Sequence, residues 1–202
     1  MNLFSQCKGR RLNEELKWFN APDCWEFDDN GTLSVQPNPK TDWFATPNEP
    51  VIESAGFLYR EVEGDFTLSM LIRPTLLRFG DAGALALRVD SALWCKLCME
   101  RSPTGETSVV SVVTKGWSDD ANGELISRPG CYLRLTRKGC NVGMHYSFDG
   151  TTWRFVRCVA MDLPDKVMVG VLAQCPFGAD CSVEFSSADL KLEPVQDFRS
   201  GE

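Results

Sequence analysis

The eight residues LWCKLCME at 93–100 constrain this chain more than any other stretch. On an extended backbone Leu93, Cys95, Leu97 and Met99 fall on one face, and Trp94, Lys96, Cys98 and Glu100 on the other. The same two-residue period recurs at 65–73, where Phe66, Leu68, Met70 and Ile72 share a face, and at 84–90, where Leu85, Leu87 and Val89 do. Further strands are expected at 108–114, 131–137, 141–148, 152–160, 166–173 and 182–185, and a shorter one at 31–35. Lys138-Gly139 and Asp149-Gly150 read as hairpin turns, because glycine supplies the positive φ such turns need. No stretch keeps a 3.6-residue period for three turns, and no repeat of propeller-blade length is present. Ten or more short strands with turns every 8–12 residues or so predict an all-β fold of two packed antiparallel sheets, a sandwich or jelly roll.

With 202 residues, 43% of them hydrophobic, the chain can bury one sizeable core, so one β-sandwich domain is expected over 1–202. Its first 30 or so residues look irregular, and Pro22, Pro37, Pro39, Pro47 and Pro50 punctuate the first quarter. The formal charge of -7 repels phosphate backbones and anionic lipid, so neither nucleic acid nor membrane is an expected partner. The opening MNLFSQCKGRRLNEELKW has no apolar leader-like core, and no apolar run approaches the roughly 18 residues of a spanning helix. Nine cysteines, an odd number in apolar strand contexts, fit a reducing compartment better than a disulfide framework, and the expected location is cytoplasmic. A lone histidine, His145, excludes every site that needs two imidazoles. No phosphate-cradling or dinucleotide glycine motif opens a helix, so no cofactor is expected.

Five ordered segments, FLYREVEGDF at 57–66, DAGALALRVDSALWCKLCME at 81–100, SVVSVVTKGWSDD at 108–120, CYLRLTRKG at 131–139 and YSFDGTTW at 146–153, together resemble the family named for the regulation of enolase. The likeness runs from about residue 12 to residue 190. It implies a concanavalin A-like lectin/glucanase sandwich with one concave sheet, an intracellular protein, and a largely undefined activity. Cys95 and Cys98 make this chain richer in cysteine than the family pattern.

The polar face of 93–100 is the first candidate surface. Trp94, Lys96 and Glu100 project together, and an aromatic plate beside a cation and a carboxylate suits a saccharide or another small polar ligand. Arg88 and Arg134 sit on outward faces of their own strands, Thr114, Ser118 and Asp119 lie in the passage VTKGWSDD, and His145 faces away from Val142, Met144 and Tyr146. If these strands are neighbours, one polar groove holds Arg88, Trp94, Lys96, Glu100, Thr114, Asp119, Arg134 and His145. On the plainer reading Lys96 and Glu100 pair on a solvated sheet, for about 0–1 kcal/mol. Trp18, Trp25 and Trp43 would cap the sandwich or rim the groove, while Trp153 packs a hairpin.

Other patterns carry less. Glu61, Glu63 and Asp65 alternate like a carboxylate pair for glycoside hydrolysis, but their order departs from the glucanase texts and suits an edge that discourages pairing. Cys95 and Cys98 have the C-x-x-C spacing, yet on a strand their thiols point to opposite faces, so neither a zinc knuckle nor a thioredoxin-type motif is expected. Asp28-Asp29-Asn30 and Asp119-Asp120-x-Asn122 are oxygen-rich and read as turns rather than calcium loops. No catalytic residue and no metal is assigned. Three functions follow in order: a non-enzymatic binding module in which Trp94→Ala weakens ligand binding without unfolding; an interaction module for a metabolic enzyme such as enolase, acting through residues 116–120; and a departed glycoside hydrolase using Glu100.

Overall fold

The computed structural model describes residues 1–202. Its strands are β1 (Lys17–Phe19), β2 (Cys24–Phe27), β3 (Leu33–Gln36), β4 (Trp43–Phe44), β5 (Ile52–Glu53), β6 (Gly56–Glu63), β7 (Phe66–Thr75), β8 (Ala82–Arg88), β9 (Leu93–Arg101), β10 (Thr107–Lys115), β11 (Trp117–Leu125), β12 (Cys131–Lys138), β13 (Asn141–Ser147), β14 (Arg154–Ala160), β15 (Lys166–Gln174) and β16 (Ser182–Lys191). The first sheet runs β1-β6-β15-β8-β9-β10-β11, and the second β14-β13-β12-β7-β16-β3-β2. Every pairing is antiparallel, as the alternating text requires, and the sheets pack as a sandwich. No helix is long and apolar enough to cross a membrane.

Period two decides which residues meet. Phe66, Leu68, Met70 and Ile72 of β7 and Leu133 and Leu135 of β12 join Leu85, Leu87, Cys95 and Leu97 in one inter-sheet core. At about 25 cal/mol per Å² of apolar area removed from water, this core is the main stabilising term. A second buried cluster lies on the outer face of the first sheet, where β4 and β5 form a short ribbon and Trp43 packs against Phe57, Trp94, Cys98, Val110, Val112 and Leu172. Small residues make room for it: Ala82, Ala84 and Ala86 present only methyl groups on that face of β8.

Two local expectations change. Residues 17–27, expected to be irregular, carry β1 and β2, too short for a period to declare itself. Residues 119–122 lie within β11, because the chain reverses at Gly116 (φ 80°) and runs back along β10. Asp28 does close a turn, accepting from the amides of Asn30 (2.9 Å) and Thr32 (2.8 Å). Beyond the three residues that β1 covers, β6 is a free edge, and Glu61 and Glu63 sit there in exposed pairs with Lys17 and Lys166.

At Gly170 the backbone of β6 approaches so closely that a Cβ would run into the Leu58 carbonyl and the Tyr59 Cα. Rigid backbone cannot step aside as a side chain can. Gly170→Ala should therefore lower stability by about 2–3 kcal/mol in urea unfolding, and an unchanged midpoint would contradict this packing.

Candidate functional site

Lys96 stands at the middle of the outer face of β9 and is 1% exposed. Its ammonium donates to Gln174 Oε1 (2.7 Å), the Trp43 carbonyl (2.8 Å) and Asp42 Oδ1 (3.2 Å). Burial opposes the charge, but Asp42 and nearby acidic groups outweigh it and hold its pKa above the usual lysine value. The residues around it serve the same ribbon. Arg88 pairs with Glu53 of β5 at 2.9 Å and lies over the Phe19 ring at 4.6 Å. Thr114 and Ser118 share a hydrogen bond of 2.9 Å, and the Ser118 hydroxyl also accepts from the Ala45 amide at 2.9 Å.

The structure thus brings Arg88, Trp94, Lys96, Glu100 and Thr114 onto one face, as expected, but most of that face is occupied by the chain itself. Trp94 is fully buried, its ring 5.6 Å from that of Trp43, and offers no plate to a ligand. Truncating a tryptophan so placed costs about 3–5 kcal/mol, so Trp94→Ala cannot serve as a change that spares the fold.

The other three expected groove residues lie elsewhere. Asp119 points away from Lys96 and meets Arg157 at 3.2 Å, since register puts Asp120, not Asp119, on the side of Val112 and Lys96. Arg134 and His145 belong to the second sheet, where residues 197–202 cover them. Arg134 donates to the Gly201 carbonyl (2.9 Å) and lies over the Trp153 ring at 4.1 Å. His145 Nε2 donates to the Phe198 carbonyl (2.7 Å), and burial pushes its pKa down to about 4, so it is neutral at pH 7. Alternation gave the correct face for both residues, but face alone does not say which sheet.

One end of the outer face stays open. A pocket of about 190 Å³ is bounded by Asp42, Lys96, Glu100, Asp120 and Gln174 on its polar side and by Phe44, Phe79 and Phe177 on its apolar side. Phe79 and Phe177 stack with centroids 5.5 Å apart and planes 13° from parallel, and they are 47% and 63% exposed. Burial raises the Glu100 pKa to about 7; Lys96 opposes the rise, and the charges of Asp120 and Asp42 add to it. Burial also raises that of Asp120. The carboxylates do not converge as a metal-ligand set. Of these residues only Lys96 and Glu100 are among those expected from the sequence. Asp120 was within reach, because a reversal centred on Gly116 pairs Val112 with it, whereas Asp42, Gln174 and the phenylalanines arrive from segments with no pattern linking them to β9.

A profile of the family described as a protein of unknown function, DUF1349, matches residues 18–193. Regulation of enolase protein 1 of Saccharomyces cerevisiae is 28% identical over 183 residues, covering 88% of this chain and 91% of that protein. The crystal structure of a functionally unknown protein from the same yeast superposes with a TM-score of 0.82 at 26% identity, over 88% of this chain and 96% of that one. The metal-free form of lectin I-B4 from Griffonia simplicifolia matches with a TM-score of 0.59 at 14% identity, over 94% of this chain and 96% of that one. The lectin likeness is one of fold alone, and it supports the concanavalin A-like sandwich.

Glu100 generates a prediction. Its folded pKa lies above the ordinary value of 4.5, so its contribution to stability is complete below about pH 4.5 and is lost as pH rises through about 7. The loss amounts to about 3 kcal/mol. Glu100→Gln keeps the shape without the titration. Its unfolding free energy relative to wild type should rise by about that amount between pH 5 and pH 8, whereas parallel curves in urea unfolding would contradict the assignment.

Proposed function

The chain belongs to the DUF1349 family, and from that premise we propose that it is a non-enzymatic binding module for a small polar ligand, a saccharide or another molecule of that size, which it takes in the pocket beside Glu100. The observation that carries the reading is the coexistence of a closed and an open part on one sheet face. The ribbon fills the trough over Trp94, and the part left open gathers carboxylates and an exposed aromatic pair around a cavity of about 190 Å³. Concave sites with aromatic walls and a few fixed polar groups are the usual form of small-molecule sites. The nine cysteines all remain thiols, which supports a reducing, cytoplasmic setting.

A second reading has its own support. The yeast relative is named for regulation of enolase. On this chain β11 is exposed along nearly all its length, and Trp117, beside the turn at Gly116, is 53% exposed. An exposed tryptophan on a free edge is a natural anchor for a metabolic-enzyme partner. In this reading residues 116–120 carry the interaction.

Thermal unfolding separates the two. Wild type, Glu100→Gln and Trp117→Ala are melted with a panel of mono- and oligosaccharides, sugar phosphates and small amines. A pocket ligand at about 100 Kd should raise the Tm of wild type and Trp117→Ala by about 5 °C or more and leave Glu100→Gln nearly unmoved. If no compound shifts wild type, the pocket reading fails and the interaction reading takes its place.

A further inference from the structure

The hydrogen-bond inventory of the pocket is one-sided, and this narrows the ligand, provided that the pocket is the binding site read above. All three Lys96 donors are spent on Asp42, the Trp43 carbonyl and Gln174, and the Gln174 amide donates to the Gly80 carbonyl at 2.9 Å. Asp42 Oδ1 already takes Lys96 and the Trp43 amide. What faces the opening is therefore mainly carboxylate: Glu100, on which burial and charge act without any hydrogen bond, and Asp120. Ser108, directly across from Glu100 on β10, is 2% exposed and its hydroxyl has no hydrogen-bond partner, but it does not line the cavity.

A neutral sugar hydroxyl both donates and accepts, so a site whose free groups are mainly carboxylate oxygens uses only part of it. A phosphate or carboxylate ligand meets like charge, and the carboxylates are not arranged as metal ligands. An ammonium or guanidinium is the complementary case. It donates only, is positive, and sits on an apolar stem that can lie along phenylalanine rings. A net charge of -7 draws such ligands in from a distance.

We propose that the pocket binds the cationic head of an amine or guanidine, held by Glu100 and Asp120 with its stem against Phe79 and Phe177. Glu100 must be ionised to do this. The charged groups facing it are Lys96 from its own strand, Asp42 from the segment before the ribbon and Asp120 from β11, while β10 and β8 present Ser108 and Ala82. Cation binding therefore releases the proton that Glu100 carries near neutral pH.

Isothermal titration tests this with 1,5-diaminopentane, Nα-acetyl-lysine-N-methylamide, neutral 1-pentanol and glucose, each at pH 8 and pH 6. The proposal expects the cations to bind and the alcohol and the sugar not to. Cation affinity should fall about tenfold from pH 8 to pH 6, with proton release seen as a buffer-dependent heat at pH 7. Glu100→Gln should weaken binding at least about tenfold and abolish the pH dependence. Asp120→Asn, on an exposed strand, should weaken it as well and serves as the second variant if Glu100→Gln fails to fold. Tighter binding of the lysine derivative points to a protein side chain as the natural source, and tighter binding of the diamine to a free amine; either supports the proposal. Binding of glucose but not of the cations, lost in Glu100→Gln, overturns the cation inference while the pocket reading stands. Binding of none of the four overturns the cation inference, and the pocket reading then rests on the wider melting panel. Cation binding untouched by both substitutions overturns the placement.

Discussion

A buried ammonium organises this molecule's open sheet. Lys96 donates to the Trp43 carbonyl, and its charge, costly to take out of water, is tolerated because three oxygens from two separate parts of the chain surround it. Those oxygens belong to the segment entering the ribbon, to the ribbon itself and to the end of β15, so one side chain ties together elements far apart in sequence. Removing the ammonium would leave Gln174 and the Trp43 carbonyl facing an unpaired gap, the kind of loss that buried networks tolerate least. Backbone bonds continue the seam, with Thr41 and Cys175 exchanging amide bonds of 3.3 and 3.1 Å and the Ser118 amide donating to the Ala45 carbonyl at 2.8 Å.

The consequence is a division of labour on one face. Where alanines line β8, the trough is filled by the chain's own tryptophan; where β9 runs on to Glu100, the ribbon stops and the acids are left to a small cavity. Most of that face is therefore covered by an internal segment of the chain. Glu100 is then caught between burial and neighbouring carboxylates with a single cation near it, which is why its proton is held so firmly.

The sequence makes the sheets legible and their occupants less so. Alternation at 93–100 put every side chain on its correct face, and so it did for Arg88, Arg134 and His145. It could not separate Arg88 from Arg134, because face parity is local whereas sheet membership depends on strand order set by pairings across more than a hundred residues. A signal of the covered face was nonetheless present. Trp94 and Cys98, with Val110 and Val112 in SVVSVV, make the outer sides of β9 and β10 nearly as apolar as the inner ones, the composition of strands buried on both faces. Asp119 and Asp120 differ only by register, and reading the stretch as a turn concealed the parity that the reversal at Gly116 fixes.

The central claim is that Lys96 is wholly spent within the molecule, so that the pocket beside it presents mainly carboxylate and Glu100 is its exchangeable group. A proton–nitrogen correlation spectrum of the lysine ammonium groups tests this most directly, because exposed ammonium protons exchange too fast to be seen and buried, bonded ones do not. One protected signal, absent in Lys96→Met and unmoved when a pocket ligand is added, is the result this account predicts. No protected signal, or one that shifts as a ligand takes over its hydrogen bonds, would contradict it.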